Sequence, residues 1–251
     1  MRTYITRLRT PLLGITIFAS LASANGEIRC GIEEPVAGWN SNGDTIFEVP
    51  NDGPAVLGKT ISEWSAIWWQ WALGIKVSNN PMLDKTGHFC DEGQQGPVWF
   101  LAGVWGGGSA ERTCTVPSGM HIFFPIANNI WVDTAMDMAG TEETDCRIYA
   151  TAFPSSVSGE LEATLDGNPI IFDPETPMIW SQSPAFSATY PQQHVFNIFA
   201  DRKPFDPDDF TGYPTFSDGF WIILPPLEAG EHELHFGAGE AQDVTYHLTV
   251  E

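Results

Sequence analysis

The chain has 251 residues, of which 11 are Lys or Arg and 32 are Asp or Glu, for a formal charge of −21. That balance excludes a nucleic-acid binder, which needs clustered cations to meet phosphate, and an anionic membrane surface would repel it for the same reason. With 43% hydrophobic and 12% aromatic residues the chain can bury a core, so neither a disordered nor a fibrous class fits.

Residues 1–24 read as a secretory signal. Arg2, Arg7 and Arg9 give a basic start, residues 11–21 are apolar, and Ala22-Ser23-Ala24 supplies the small residues that a signal peptidase reads. Cleavage is expected before Asn25, with a secreted or periplasmic destination. The apolar stretch is too short to persist as a membrane span, and Cys30 follows Glu27-Ile28-Arg29 rather than a lipid-attachment motif. The expected mature chain, 25–251, carries 8 cations against 32 acids. It contains no internal repeat and no linker long enough to divide it, so it is expected as one domain.

Its four cysteines, Cys30, Cys90, Cys114 and Cys146, suit two disulfides in an oxidising compartment, although four cysteines allow three pairings. The favoured pairing is Cys90–Cys114, with Cys30–Cys146 tying the amino-terminal segment to the body. No C-x-x-C is present, so neither a zinc knuckle nor a thioredoxin-type centre is indicated.

In chain order, residues 25–58 are rich in Gly, Asn and Pro, with one strand expected at 45–49. A helix is expected over about 60–75. Thr60-Ile61-Ser62-Glu63 has the form of a capping box, and Ile61, Trp64, Trp68, Trp71 and Ile75 then recur at helical spacing. Ala66, Trp69 and Leu73 widen the apolar face until the helix must be buried on two sides. Strands are expected at 97–105, 112–116 and 120–127, with a turn at Gly106-Gly107-Gly108. A hairpin over 160–172 turns at Asp166-Gly167. Residues 174–214 hold seven prolines and read as surface loop, with 195–200 as the best strand. A three-strand meander, 220–224, 231–236 and 244–250, closes the chain. Its residues alternate between a covered and a wet face, with His232, Leu234 and Phe236 directed inward. The segment from Asp218 to His232 resembles strands of exported β-sandwich proteins, a likeness that names no activity. The fold class expected is a mainly β, single β-sandwich or jelly-roll domain with one embedded Trp-rich helix.

Familiar catalytic motifs are missing: no G-x-S-x-G, no H-E-x-x-H and no P-loop. Acidic runs at Glu142-Glu143-Thr144-Asp145 and at Asp206, Asp208 and Asp209 are hard-oxygen candidates for calcium, although neither follows the helix-loop-helix calcium pattern and most such runs are solvated surface. Pairing the last two strands sets Glu233 opposite His247 with His235 diagonal. That is a candidate transition-metal face, against the plainer reading of an exposed polar face. Asp84, His88, Arg112, His121, Asn128, Asn129 and Asp133 form a third cluster. There Arg112 would hold an acidic partner or an anionic ligand group, and His121 would act as acid or base. Against this stands an Arg–carboxylate pair that merely orders loops. Of the ten tryptophans, Trp39, Trp105, Trp131 and Trp180 stand at loop or strand ends, where rings can stack on sugar faces while Asn and Asp bond hydroxyls.

The leading functional expectation is therefore a non-catalytic β-sandwich that binds a carbohydrate or similar polar ligand. One alternative is a secreted glycan hydrolase or lyase using carboxylates and His121. Another is a structural or adhesive envelope protein ordered by calcium.

Overall fold

The computed structural model describes residues 55–132, 150, 161–170, 178–198 and 210–251. The expected signal segment, the strand at 45–49, the acidic run at 142–145, Trp39, Asp133, Asp206, Asp208, Asp209, Cys30 and Cys146 lie outside the described residues.

The helix α1 (Ile61–Gly74) starts where the sequence places it. The Thr60 side chain accepts from the Glu63 amide, and the Glu63 carboxylate accepts from the Thr60 amide at 2.8 Å, so both halves of the capping box are made. Trp64, Trp68, Trp69 and Trp71 are all buried. Three of these indoles donate to backbone carbonyls: Trp64 to Val56, Trp68 to Leu101 and Trp71 to Glu92. Burying so amphipathic a ring is inexpensive only when its N–H finds such a partner.

Among the described residues ten strands form two mixed sheets, which makes the protein a mainly β sandwich. The first sheet contains β1 (Val98–Phe100), β3 (His121–Val132), β8 (Phe210–Leu224), β6 (Met178–Gln182) and β7 (Phe186–Tyr190). Within it, β1 runs parallel to β3, β8 lies antiparallel beside β3, and β6 and β7 both pair with the long β8. The second sheet has the order β2 (Gly108–Val116), β10 (Gln242–Val250), β9 (Gly230–Ala238), β4 (Leu161–Leu165) and β5 (Asn168–Pro169), with β2 and β10 parallel.

The first sheet is the middle layer. Ile122, Phe124, Phe220 and Ile222 face the second sheet and pack on Leu234, Phe236, Tyr246 and Leu248. Phe123, Trp221 and Ile223 face the helix. The Phe123 and Trp221 rings stack at 5.2 Å, and Trp68 meets Trp221 edge-on at 5.4 Å.

The turn at Asp166-Gly167 has positive φ at both positions, 52° and 72°, the conformation that a two-residue hairpin requires. Cys90 and Cys114 are joined, with their Cα atoms 5.9 Å apart.

Three expectations need correction. Residues 97–105 give only a three-residue strand, because the backbone from Leu101 to Val104 is held largely by side chains. Trp68 and Arg112 donate to carbonyls of this segment, and the Gln242 carboxamide and the Tyr246 hydroxyl accept from its amides. Residues 174–214 are not all loop, since the described ones contribute β6, β7 and the start of β8. The reason is that β7 alternates Phe186, Ala188 and Tyr190 inward with Ser187 and Thr189 outward, a pattern with small residues that prolines on either side disguise. The apolar run expected as a strand at 195–200 forms a 3-10 turn over Val195–Ile198.

Candidate functional site

Arg112 is 2% exposed on β2, and four of its five N–H groups are bonded. Nε donates to the Asp84 carbonyl at 2.7 Å, Nη1 to the Ala102 carbonyl and at 2.8 Å to the Tyr246 hydroxyl, and Nη2 to the Gly103 carbonyl at 3.1 Å. The guanidinium also lies 5.3 Å from the Tyr246 ring centre. The expected carboxylate or ligand anion is thus replaced by main-chain oxygens, and Arg112 is a clamp on two loops.

Asp84 does not pair directly with it. Burial works to raise the Asp84 pKa, but hydrogen bonds from the Phe89 and Thr86 amides and the Thr86 hydroxyl, together with the Arg112 charge, hold it below the ordinary value. His88 is exposed and rests edge-on against Phe89. His121 is half-buried at the start of β3, its amide on the Pro97 carbonyl. No hydrogen bond or ion pair among the described residues joins His121 to Arg112, Asp84 or His88. Asn128 sits farther along β3, opposite Gly219.

The second sheet has the expected register, Glu233 opposite His247 and His235 opposite Thr245. The side chains nevertheless diverge. His235 Nε2 lies 2.9 Å from Asp243, while His247 lies 3.0 Å from Glu111 and 3.7 Å from Glu233. Among the described residues no group of three His, Cys, Asp or Glu is arranged to hold a metal, so the Glu233, His235 and His247 site is corrected to an exposed polar face. His232, expected inside, is at the rim. Its two ring nitrogens face the Asp166 carboxylate at 2.8 Å and the Glu228 carbonyl at 2.9 Å. Two acceptors favour the doubly protonated ring, so the Asp166 and Glu228 contacts raise the His232 pKa.

The described tryptophans do not form a row. Trp180 is 7% exposed and packs between the sheets, which corrects its expected place as a stacking surface. Trp131 is half-buried on β3 opposite Phe216. Trp105 is half-buried between Trp69, at 6.4 Å, and Phe196, at 5.3 Å.

Two features escaped the sequence reading. The first is a buried polar row across the middle of the first sheet, where Asn129, Asp218 and Gln182 are register neighbours on β3, β8 and β6. Asp218 is 1% and Gln182 5% exposed, and Gln182 Nε2 donates to Asp218 Oδ2 at 3.0 Å. Trp180 and Phe220 form the next inward-facing pair on one side of this row, and Trp131 and Phe216 on the other.

The second is an open groove of about 410 Å³ between the end of α1 and β7, lined by Gln70, Gly74, Ser187, Thr189, Tyr190 and Pro191. Gln70 Nε2 donates to the Ser187 carbonyl at 3.0 Å, which fixes the amide orientation. Ser187 and Thr189 are exposed, and Tyr190 is buried; that burial pushes its phenol pKa up. Tyr190 continues into an aromatic run, with Phe196 at 5.6 Å and His194 at 5.3 Å. Burial lowers the His194 pKa, keeping the ring neutral. The alternation of Phe186 to Tyr190 was the signal available for this groove, but α1 and β7 are far apart in sequence and only the fold joins them.

No family model, no curated protein and no solved structure matches this chain.

Proposed function

We propose that this is an exported protein that binds a neutral carbohydrate or similar hydroxyl-rich ligand in the groove between α1 and β7. One observation carries the reading: in a chain with 32 acidic residues, every residue lining this groove is uncharged, and they present an amide, two hydroxyl-bearing side chains and a tyrosine. Neutral donors and acceptors beside an aromatic ring are the chemistry that a sugar requires. A charged ligand would find no counter-charge there. Among the described residues no carboxylate lines the groove, and glycoside hydrolysis uses a pair of them, so binding without turnover is the simpler activity for it. The Cys90–Cys114 bridge supports an oxidising compartment, and among the described residues no helix is long and apolar enough to cross a membrane.

A glycan array probed with the protein, with and without chelator, tests this. Neutral glycans should be retained whether or not chelator is present, and Thr189→Trp, which fills the groove from an exposed position, should abolish retention without lowering the Tm. Retention of no neutral glycan, or full retention by Thr189→Trp, overturns the reading.

A further inference from the structure

We propose that the helix-facing side of the first sheet contains a built-in water site, held by Asn128, Ser217 and Trp221. The three lie on one face. Ile130 and Val132 of β3 pack with the helix-side cluster, so Asn128, two residues earlier, shares their face. Ser217 is the register partner of Ile130, Trp221 packs on Trp68, and Gly219 between them is the partner of Asn128. A side chain at Gly219 would meet Asn128 Cβ at 2.6 Å and the Ala127 carbonyl at 2.7 Å. The glycine therefore lets the Asn128 side chain lie against β8, between Ser217 and Trp221.

In this patch Asn128 Nδ2, Ser217 Oγ and Trp221 Nε1 are buried and have no hydrogen-bond partner among the described residues. Ser217 is 1% and Trp221 0% exposed. Buried polar groups are almost always satisfied; the indoles of Trp64, Trp68 and Trp71 meet carbonyls, whereas those of Trp69 and Trp99, like that of Trp221, meet none. Three such atoms around one glycine mark a place for small molecules that both give and accept. Ser217 and Trp221 stand four residues apart on β8, roughly 13 Å, so Asn128 would share one water with Ser217 and another with Trp221, and each such water would make at least two of the two to four contacts usual for a buried water. Diagonal neighbours across an antiparallel pair stand roughly 7–8 Å apart. Carboxamide and hydroxyl arms shorten that toward the roughly 5.5 Å spanned by two hydrogen bonds through one water. Asn128 is itself half-buried, which gives the site a path to solvent.

A high-resolution crystal structure and the Ser217→Ala variant test this together. Expected are one or more waters within hydrogen-bond reach of Asn128 Nδ2 and Ser217 Oγ, and a Tm about 2–4 °C lower for Ser217→Ala as the water loses a partner. A dry patch overturns the proposal, and so does an organic guest in its place. A higher Tm for Ser217→Ala overturns it too, because deleting a truly unpaired buried hydroxyl relieves a desolvation cost.

Discussion

The two sheets obey the same hydrogen-bond rules and treat polar residues in opposite ways. The second sheet has one covered face and one wet face. Along β10 the side chains Val244, Tyr246, Leu248 and Val250 are buried, while Thr245, His247 and Thr249 are partly exposed. Its histidines and acids meet in solvent and cost little. The first sheet is covered on both faces, by α1 and by the second sheet, so β3 is continuously buried from Ile122 to Ala127. Every polar group in it must be bonded or hydrated. Gln182 bonds Asp218, the Ser217 amide donates to Ser183 Oγ at 2.8 Å, and Asn128, Ser217 and Trp221 need bridging molecules. A polar side chain thus tunes the surface of one sheet and governs the integrity of the other.

The largest expected effect falls where the layers are clamped. Arg112→Leu would strand the Asp84 and Gly103 carbonyls and take one donor each from the Ala102 carbonyl and the Tyr246 hydroxyl, which stay bonded to each other. At about 1–3 kcal/mol for each unsatisfied group, partly relieved by relaxation, the loss should be roughly 5 kcal/mol in urea unfolding. A loss near 1 kcal/mol would mean that these carbonyls find other donors and that the clamp reading is wrong.

Next is the helix side of the first sheet. Trp68→Ala should cost roughly 3–5 kcal/mol, and Trp71→Ala somewhat less because it lies at the rim, 9% exposed against 1% for Trp68. An unchanged Tm with lost glycan binding would move these rings from core to ligand surface.

The bridge comes third. Replacing Cys90 and Cys114 together by Ala opens a link between positions 24 apart in sequence, worth about 3 kcal/mol in the chain-entropy model. Thiol labelling of the denatured, unreduced protein should leave both cysteines unlabelled. Labelling at either one would remove the bridge.

The smallest effect is set by pH and has opposite signs in the two regions. On the second sheet, the raised His232 pKa means that its contribution is fully present below the unfolded histidine value and is lost as pH rises through the folded one. The lowered Asp166 pKa, set first by the His232 hydrogen bond, adds stability above the ordinary carboxylate value that is lost in acid. The pair therefore helps most between about pH 4 and 6.5. His232→Gln should cost about 1 kcal/mol or less near pH 5, and progressively less as pH rises through the raised His232 pKa. His194, beside the helix, is lowered by burial, so its contribution is present above the unfolded value and is lost as pH falls through the folded one. In urea titrations of His232→Gln, the stability that remains should decline steadily below pH 6; no decline would discount the burial of His194.

The elements legible in the sequence are those whose signal is local. Thr60 and Glu63 are three residues apart, Asp166 and Gly167 adjacent, and the alternation of β9 and β10 survives because one of their faces is wet. The Cys90–Cys114 pairing was legible as one of a few combinations in an exported chain. The strands β6 and β7 were missed because Pro177, Pro184 and Pro191 flank them and small residues in β7 hide the period. The length of β8 was missed because a strand buried on both faces does not alternate.

At the candidate sites, sequence determined residue types and which ones could be neighbours: a cation at Arg112 and a cross-strand set at Glu233, His235 and His247. It also determined the acidity and aromatic richness that narrow the ligand classes. Only the tertiary structure decided what each polar atom meets. Arg112 turned to main-chain carbonyls, His235 and His247 turned to different acids, and Trp180 turned into the core. Gln70 and Ser187, 117 positions apart, became the two walls of a groove. Hydrogen bonds act over about 3 Å, and within that range the partner of a side chain is set by layer packing, which local pattern does not encode.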